Sequence, residues 1–487
     1  MRIPRLVISG LSGGAGKTMF SLGLARAFAR RKLSVRAFKK GPDYIDAAWL
    51  ALAAGAQQAN LDPFFSPDGQ MLRLFLEGAA GSDVALVEGN RGLFDGLDIH
   101  GSCSTAELSR ALTAPVLLVL DCTKMTRTVA AVVTGCLAFE KNLRIGGVIL
   151  NRTGTPRHRD MVRRAVEEFC PLPVLGVLPR LSAPFMLERH MGLAGVDEFA
   201  QADELLNSLA DFVEEHADID AILNLAGSAP EIPYASPPQE ISSTALPSPA
   251  PPGEPASTPR KSGSRSRPVI GYARDAAFWF YYNENLEALK EAGACLVPLS
   301  LLDDAPWPEV QGLYIGGGLP ELYAAKLSAN AGVRERVAAL AQAELPMYAE
   351  CGGFLYLARS LEIKGQIFPM AGVFDVAVSM HERPQGLGYV EACAIGENPF
   401  HPCGVPFRGH EFHFSAIHAP QDTCSSEFPT ADRFLLALQR GRGMAEHPVS
   451  GRRLDGILAG RAFAAYMHIY APAVPHWASR FVSLCLT

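Results

Sequence analysis

Short apolar runs alternate with helical patterns over the first half of the chain. The runs predict strands at 6–9, 84–87, 116–120, 147–150 and 174–178. Phe20, Leu24, Ala27 and Phe28 recur at helical spacing and predict a helix over 19–31. Such alternation is typical of an α/β fold, in which helices cover both faces of a mostly parallel, doubly wound sheet.

The same pattern restarts in the second half, with strands predicted at 269–273, 295–299, 312–315 and 346–349. Between the halves, residues 228–267 are dominated by Pro, Ser, Ala and Thr, and they end in a basic patch. A segment with so few large apolar residues cannot offset its ordering entropy, which indicates a flexible linker. We therefore expect an α/β domain at 1–227, a linker at 228–267 and a second α/β domain at 268–487.

Composition narrows the functional class. The chain has 487 residues, of which 48% are hydrophobic and 19% are charged, with a net charge of −6. These values are ordinary for a globular enzyme, and they predict neither a nucleic-acid partner nor a membrane partner. No apolar run approaches the ~20 residues that span a bilayer. The ten cysteines include no Cys-x-x-Cys pair, so we expect a reduced, cytoplasmic protein without a disulfide framework.

A glycine-rich turn follows the first predicted strand and opens the first helix. It reads Gly-Leu-Ser-Gly-Gly-Ala-Gly-Lys-Thr over residues 10–18. Backbone N–H groups and a helix N-terminus in this setting bind phosphates, a lysine reaches the outer phosphates and a threonine hydroxyl suits Mg²⁺. The sequence therefore predicts an ATP site at Ser12, Gly13, Gly14, Ala15, Gly16, Lys17 and Thr18.

Acidic residues lie where the strands of such a sheet end, which is where active sites gather. Glu88 ends a strand, Asp43 and Asp46 lie in Lys-Lys-Gly-Pro-Asp-Tyr-Ile-Asp (39–46), and Asp95 lies in a loop over 88–96. Mg²⁺ takes one or two carboxylates together with phosphates and water. We expect Thr18, Asp43 and Glu88 to supply that set.

Two further polar residues lie at predicted strand ends in the first domain. Lys39 can neutralise charge that develops on a phosphate. Asn151 either reads an adenine edge or caps local structure, and the sequence leaves these alternatives open. Both are candidates for the nucleotide site.

The second domain contains a candidate nucleophile. Pro-Met-Tyr-Ala-Glu-Cys-Gly-Gly-Phe (346–354) is a strand that runs into Cys351 and then into a helix predicted over 354–361. This is the pattern of a nucleophile elbow, which exposes a thiol at a sharp turn beside a helix N-terminus. The turn at Gly316, Gly317 and Gly318 offers backbone N–H groups for an oxyanion hole. A thiol nucleophile also needs a base, and the candidates are His468, His410 and His413.

Taken together, these motifs resemble the cobyrinic acid a,c-diamide synthase family, which consists of glutamine-dependent amidotransferases of corrinoid biosynthesis. The resemblance covers nearly everything except the linker, and Gly-Pro-Asp-Tyr-Ile-Asp with Glu-Cys-Gly-Gly is its most specific part. The matching stretches are 10–18, 39–46, 60–62, 88–96, 151–152, 188–190, 273–278, 316–321, 349–353, 408–415 and 465–468.

The resemblance implies an N-terminal, ATP- and Mg²⁺-dependent amide-forming domain similar to dethiobiotin synthetase, and a C-terminal glutaminase of the class I type. It implies that Cys351 is the nucleophile and that His468 activates it. It also implies that Asp43, Tyr44, Ile45, Asp46 and Asp95 recognise and position the substrate. Other class I glutaminases have a glutamate two residues after the histidine, where this chain has Tyr470. Between Lys39 and Gly41, where the family has a small apolar residue, this chain has Lys40.

The implied reaction is amidation of the a- and c-acetates of cobyrinic acid, with L-glutamine as the source of ammonia. The alternatives are another tetrapyrrole, such as hydrogenobyrinic acid or Ni-sirohydrochlorin, and a partitioning-type ATPase switch that carries a vestigial glutaminase. The motifs do not distinguish the macrocycles, because the metal belongs to the ligand. No sequence feature supports an oligomeric state, and a homodimer stays open.

Overall fold

The computed structural model describes residues 2–66, 69–181, 188–189, 192–193, 201–232, 267–418 and 433–487. Most of the predicted linker, from 233 to 266, lies outside the described residues, as does the last residue of the 188–190 motif.

Parallel strands form the sheet of the first half. In the described part of this half they run in the order β3-β2-β4-β1-β5-β6-β7, and every pairing is parallel. The strands are β1 (Arg5–Gly10), β2 (Val35–Lys40), β3 (Asn60–Leu61), β4 (Val84–Glu88), β5 (Val116–Asp121), β6 (Ile145–Thr153) and β7 (Val174–Pro179), and a short separate ribbon follows as β8 (Glu188–Arg189) and β9 (Gly192–Leu193).

Helices cover this sheet on both faces, as the two buried apolar clusters of this half show. Gly23 of the first helix allows a close approach, because a Cβ there would collide with the carbonyl of Leu209 on the seventh. The helices are α1 (Lys17–Arg30), α2 (Ile45–Ala54), α3 (Gln70–Gly78), α4 (Thr105–Ala111), α5 (Thr128–Phe139), α6 (Pro156–Phe169), α7 (Ala202–His216) and α8 (Ile219–Gly227).

The second half is built on a mixed sheet. Over the described ranges its main path is β12-β10-β13-β15-β25-β24-β22-β19-β20-β26, with β23 beside β24. Its strands are β10 (Val269–Ala273), β12 (Cys295–Leu299), β13 (Gly312–Ile315), β15 (Met347–Glu350), β19 (Gly386–Ala394), β20 (Pro406–His413), β22 (Phe434–Arg440), β23 (Ala445–Glu446), β24 (Arg453–Ala459), β25 (Ala462–Ala465) and β26 (His468–Ile469).

Smaller sheets and short helices complete this half. A ribbon pairs β11 (Phe278–Phe280) with β14 (Gly317–Gly318), and a small sheet contains β16 (Ala358–Ile363), β17 (Gln366–Pro369), β18 (Phe374–Met380) and β21 (Ser415–His418). The helices are α9 (Asn283–Glu291), α10 (Ala324–Ala329), α11 (Ala331–Gln342), α12 (Gly352–Leu357) and α13 (His476–Leu484), with 3-10 turns at Pro320–Tyr323 and Ala471–Ala473.

The predicted α/β class is confirmed, with two local differences. The helix predicted over 354–361 ends at Leu357, because the chain enters β16 at Ala358 and pairs with β17 and β18. The pattern also missed β2, whose Lys39 and Lys40 are buried although they are charged. A strand that contains charged residues does not give the apolar pattern by which strands are predicted. The burial of these lysines is explained by the charged groups around them in the site.

The two halves share buried apolar contacts. The cluster on one face of the first sheet includes Trp279, Phe280, Tyr282, Leu319 and Tyr470 of the second half. The carboxyl edge of the first sheet therefore faces the second domain directly.

Candidate active site

The phosphate loop connects β1 to α1 with the expected geometry. Gly14 and Gly16 have φ angles of 72° and 89°, a backbone conformation that residues with a Cβ rarely adopt. Lys17 is buried, and its Nζ donates to the carbonyl oxygens of Ser12 and Arg91, both at 2.8 Å. The ammonium group of Lys17 thus lies between the phosphate loop and the loop that contains Arg91.

A buried charge cluster lies beside the loop at the ends of β2 and β4. Lys39 Nζ is 2.6 Å from both Asp46 Oδ2 and Glu88 Oε1. Thr18 Oγ1 donates to the same Glu88 oxygen at 2.7 Å and lies 3.4 Å from Asp46 Oδ2. Burial alone would lower the pKa of Lys39, but the carboxylates of Asp46 and Glu88 raise it well above its usual value.

The structure places the predicted Mg²⁺ ligands unequally. Thr18 and Glu88 are in contact, whereas Asp43 Oδ1 accepts a hydrogen bond from the backbone N–H of Asp46 at 2.8 Å. Burial, followed by the charge of Asp46, raises the pKa of Asp43 to about 7. Besides Glu88, the acid that approaches Thr18 is therefore Asp46 and not the predicted Asp43.

These residues fit a magnesium ion that also binds phosphate. The buried Oε2 atom of Glu88 has no hydrogen-bond partner, so one carboxylate oxygen is open to a ligand. No group of three or more His, Cys, Asp and Glu side chains in the described ranges is arranged to hold a metal. Mg²⁺ does not require one, because it is usually held by one or two carboxylates plus substrate phosphates.

Asn151 lies against the loop at the end of β6. Its Nδ2 donates to the carbonyl of Ala15 at 2.9 Å, and a Cβ on Gly16 would collide with the same amide. In this structure the Asn151 side chain therefore stabilises the phosphate loop through its backbone. Asp95 holds its own loop, since its Oδ2 accepts the N–H of Gly92 at 3.0 Å.

Cys351 has the strained backbone of a nucleophile elbow. It lies between β15 and α12 with φ 47° and ψ −101°, and strain of this kind concentrates at functional sites. The prediction that the turn exposes the thiol is wrong: Cys351 is only 8% exposed, and its Sγ lies 3.8 Å from the carbonyl of Phe412. Burial, and then the charge of Glu321, raise the pKa of the thiol well above its usual value.

His468 lies on β26, close to the elbow. Glu350, which precedes Cys351, pairs with Ala465 across β15 and β25. His468 follows Ala465 by three residues, so the pairing brings it near the elbow. A Cβ on Gly317 would collide with the His468 ring, and one on Gly352 would lie 3.0 Å from the N atom of Gly318. The glycine turn therefore lies between the elbow and the histidine.

The other two histidines have different surroundings. The His410 ring stacks on His468 with centroids 4.8 Å apart, and burial lowers its pKa well below the usual value. His413 stacks on Tyr466 at 3.7 Å, and its Nδ1 lies 2.8 Å from the carbonyl of Ser415. Of the three, His468 is the one that the turn approaches.

The glycine turn is itself anchored at its first residue. The Gly316 N–H donates to the hydroxyl of Tyr281 at 2.8 Å, and that hydroxyl donates in turn to the carbonyl of Ala273 at 2.7 Å. Gly317 and Gly318 pair with β11. Glycine is required at 318, because a Cβ there would overlap the Ala277 carbonyl.

Glu350, which the motif contains but sequence reasoning did not select, supplies a carboxylate beside His468. Its Oε2 is 3.8 Å from His468 Nδ1, while its Oε1 accepts the Ile469 N–H at 3.1 Å. The Tyr314 hydroxyl donates to Oε2 at 3.0 Å. Tyr470, at the position of the usual glutamate, packs instead on Tyr282 at 5.0 Å.

Tyr44 joins the two sites. It follows Asp43 in the first domain, yet its ring stacks on Phe280 at 5.1 Å and packs on Tyr282 at 4.7 Å. The same ring lies 5.5 Å from His468 and 5.7 Å from His410. One side chain therefore separates the acidic loop of the first domain from the histidine of the second.

Lys40, which had no explanation in the sequence, also contacts the second domain. Its Nζ is 3.7 Å from Asp62 Oδ2 and 3.5 Å from the Tyr389 hydroxyl. That hydroxyl donates to Asp62 Oδ2 at 2.5 Å. All three groups lie in the interface, and no sequence spacing pairs residue 62 with residue 389.

Comparisons with known proteins agree with this division. Residues 6–192 match the CobQ/CobB/MinD/ParA nucleotide binding domain family, and residues 269–474 match the CobB/CobQ-like glutamine amidotransferase domain family. A cobyrinate a,c-diamide synthase of Magnetococcus marinus is 41% identical over 98% of this chain and 96% of its own. One from Syntrophotalea carbinolica is 40% identical over 100% and 99%.

The chain belongs to the cobyrinate a,c-diamide synthase family. As a member of that family it is an enzyme, a glutamine-dependent amidotransferase of the ligase type that acts in cobalamin synthesis and uses ATP. Among solved structures, the match to a glutamine amidotransferase covers 44% of this chain and 98% of that protein, with 18% identity and a TM-score of 0.29.

None of the helices in the described ranges has the length and apolarity to cross a membrane. Nine of the ten cysteines lie within the described ranges, and each of these is a free thiol.

Proposed function

We propose that this member of the cobyrinate a,c-diamide synthase family amidates the a- and c-acetates of cobyrinic acid in two successive rounds. One observation carries the proposal: Tyr44, from the loop beside the phosphate site, packs directly on His468 beside the Cys351 elbow. The site that releases ammonia and the site that consumes it thus meet at one interface.

The glutaminase half begins at Cys351. The thiol attacks the carboxamide of glutamine while His468 takes its proton and passes it to the departing ammonia. The glycine turn that follows β13 stabilises the oxyanion, with Gly317 and Gly318 nearest to His468 and the elbow. Water then releases glutamate and restores the thiol.

The synthetase half begins at the phosphate loop. The backbone of residues 12–18 holds the phosphates. Lys17 turns toward them from the carbonyl oxygens of Ser12 and Arg91. Thr18, Glu88 and Asp46 would hold Mg²⁺, which would neutralise phosphate charge. Asp43 lies next to this set, and Lys39 balances the acidic cluster.

The acetate of the macrocycle is a poor electrophile until it is activated. It takes the terminal phosphoryl group of ATP, and ammonia displaces phosphate from the resulting acyl phosphate to give the amide. Residues 43–46 and Asp95 position the acetate at the edge of the sheet. Ammonia that escaped to water would become ammonium, which explains why the two sites should face each other across a buried contact.

Mass spectrometry tests the proposal. Cobyrinic acid, ATP, Mg²⁺ and glutamine are incubated with the enzyme, and Cys351→Ala is incubated with ammonia in place of glutamine. We expect two successive replacements of OH by NH₂, with Cys351→Ala active on ammonia but inactive on glutamine. Cys403→Ala, which removes an exposed thiol, serves as the matched control and keeps both activities.

The other outcomes are equally informative. Conversion of hydrogenobyrinic acid or Ni-sirohydrochlorin, but not of cobyrinic acid, would replace the proposed substrate. ATP turnover that ignores both glutamine and every tetrapyrrole would instead support a switch ATPase.

A further inference from the structure

A cavity of about 560 Å³ lies between the two domains. Asp43, Arg91 and Asp95 line it from the first domain, and Tyr389, Arg440 and Arg442 line it from the second. This volume is within the range of small-molecule sites. Because Asp43 is adjacent to the Thr18–Glu88 cluster, one side of the cavity opens on the predicted site of phosphoryl transfer.

The second-domain wall is built around a tight turn at the end of β22. Buried Glu411 holds this turn, since its two carboxylate oxygens accept the N–H groups of Arg442 at 2.6 Å and Gly443 at 2.9 Å. Gly441 and Gly443 have φ angles of 118° and 63°, which the turn requires. The backbone that carries Arg440 and Arg442 is therefore fixed by a group in the core.

The arginines on the cavity wall have charges that the described protein does not neutralise. Arg91, Arg440 and Arg442 are exposed, and their guanidinium groups make no ion pair or hydrogen bond with any residue in the described ranges. By contrast, exposed Arg359 pairs with Asp375, and half-buried Arg453 pairs with Glu446.

The acids of the same cavity are already engaged. Asp43 accepts the Asp46 N–H, Asp95 accepts the Gly92 N–H, and Glu411 accepts two N–H groups of the arginine turn. Within the described ranges, Arg91, Arg440 and Arg442 are thus the charged side chains of the cavity lining that have no hydrogen-bond or ion-pair partner. A cavity of this kind selects a ligand with several negative charges, because guanidinium groups bind carboxylates in a bidentate manner.

We propose that Arg440 and Arg442 of the glutaminase domain bind carboxylates of the macrocycle that are not being amidated. This inference rests on the proposed function and adds a second-domain half to its substrate site. Leu387, Tyr389 and Phe412 on the same wall face the apolar part of the ring. The macrocycle then spans both domains, and its reacting acetate points toward Asp43.

Steady-state kinetics with Arg440→Gln, Arg442→Gln and the double variant test the inference. We expect the KM for cobyrinic acid to rise ~10-fold for each arginine removed, as for the loss of one charge-assisted contact. The KM values for ATP and glutamine should stay within twofold. The matched control is Arg452→Gln, an exposed arginine of the same domain that forms no ion pair with any described residue, which should leave all three KM values unchanged.

A binding measurement separates recognition from turnover. Cobyrinic acid is titrated into Cys351→Ala enzyme without ATP, and the visible absorption of the macrocycle reports binding. We expect the affinity to fall with added salt, and the double variant to be weaker and less sensitive to salt. Circular dichroism and the thermal midpoint confirm that the variants fold.

Each contrary outcome has a definite meaning. If the unmodified enzyme neither binds nor amidates cobyrinic acid, the proposed function fails and this inference fails with it. If the enzyme amidates it and the double variant keeps the same KM and salt dependence, the arginine site alone is overturned. A raised KM for ATP with an unchanged KM for the macrocycle would assign the arginines to nucleotide phosphates and would also overturn the inference.

Discussion

Glu350 Oε2 lies 3.8 Å from His468 Nδ1, and both side chains are almost completely buried. The carboxylate is held in place by the Ile469 N–H and the Tyr314 hydroxyl. The residue that immediately precedes the nucleophile thus places a carboxylate beside His468, whereas Tyr470, at the position of the usual glutamate, carries none. We expect a carboxylate there to orient the imidazole during attack.

Replacing this carboxylate should slow glutamine hydrolysis. For Glu350→Gln we expect the kcat with glutamine to fall by about 100-fold, while amidation with added ammonia is retained. The two rates are measured on the same preparation. Glu446→Gln, which removes an exposed carboxylate of the same domain, is the control. Equal losses with glutamine and with ammonia would show a general structural role instead.

Tyr44 should couple the two half-reactions, because its ring separates the acidic loop from His468. For Tyr44→Ala we expect glutamate release to exceed amide formation several-fold, since ammonia escapes through the gap. Tyr44→Phe keeps the ring and should keep the ratio near that of the unmodified enzyme. Quantifying glutamate and amide in parallel checks this, and a ratio unchanged in Tyr44→Ala would contradict it.

The raised pKa of Cys351 fixes the direction in which the reactivity of the thiol changes with pH. Burial favours the neutral thiol, so the thiolate fraction of the ligand-free enzyme increases as pH rises. Inactivation of glutaminase activity by iodoacetamide should therefore accelerate continuously from pH 6 to pH 9. Glutaminase activity is the readout because Cys295 and Cys403 are exposed and also react. A rate that levels off below pH 7 would show a thiolate already formed.

Lys39 should contribute to stability as well as to chemistry. Lys39→Met leaves buried Glu88 and half-buried Asp46 without their counter-ion, which costs about 3 kcal/mol of unfolding free energy. A thermal melt should show a lower midpoint, partly restored by Mg²⁺, which can take the same two carboxylates. Arg31→Ala removes the exposed ion pair with Asp220 and should change the midpoint little.

Local sequence patterns predicted the elements that are repetitive or apolar. Strand β10 was predicted to the residue, and α1 begins two residues before its predicted start. The antiparallel half of the second sheet was not predicted. Its strands, such as β20 with His410 and Glu411, carry buried polar residues and pair across long stretches of sequence. Hydrophobic periodicity does not predict such pairings.

The same limit applies to the site. The phosphate loop and the Cys351 elbow are contiguous motifs, and the structure shows both geometries. The contacts of Tyr44 with His468 and of Lys40 with Tyr389 cross more than 300 residues of sequence, and only the docking of the domains creates them. The roles assigned to the individual site residues stay predictions until variants are measured.

The backbone of Cys351 implies that this enzyme would be more stable without its nucleophile. A φ of 47° with ψ of −101° is unfavourable for a residue with a Cβ and costs on the order of 1–3 kcal/mol. Cys351→Gly should therefore melt at a higher temperature than Cys351→Ala, which removes the thiol but keeps the Cβ. The difference between these two inactive proteins would measure how much folding stability the molecule gives up to hold a sulfur atom at the bend.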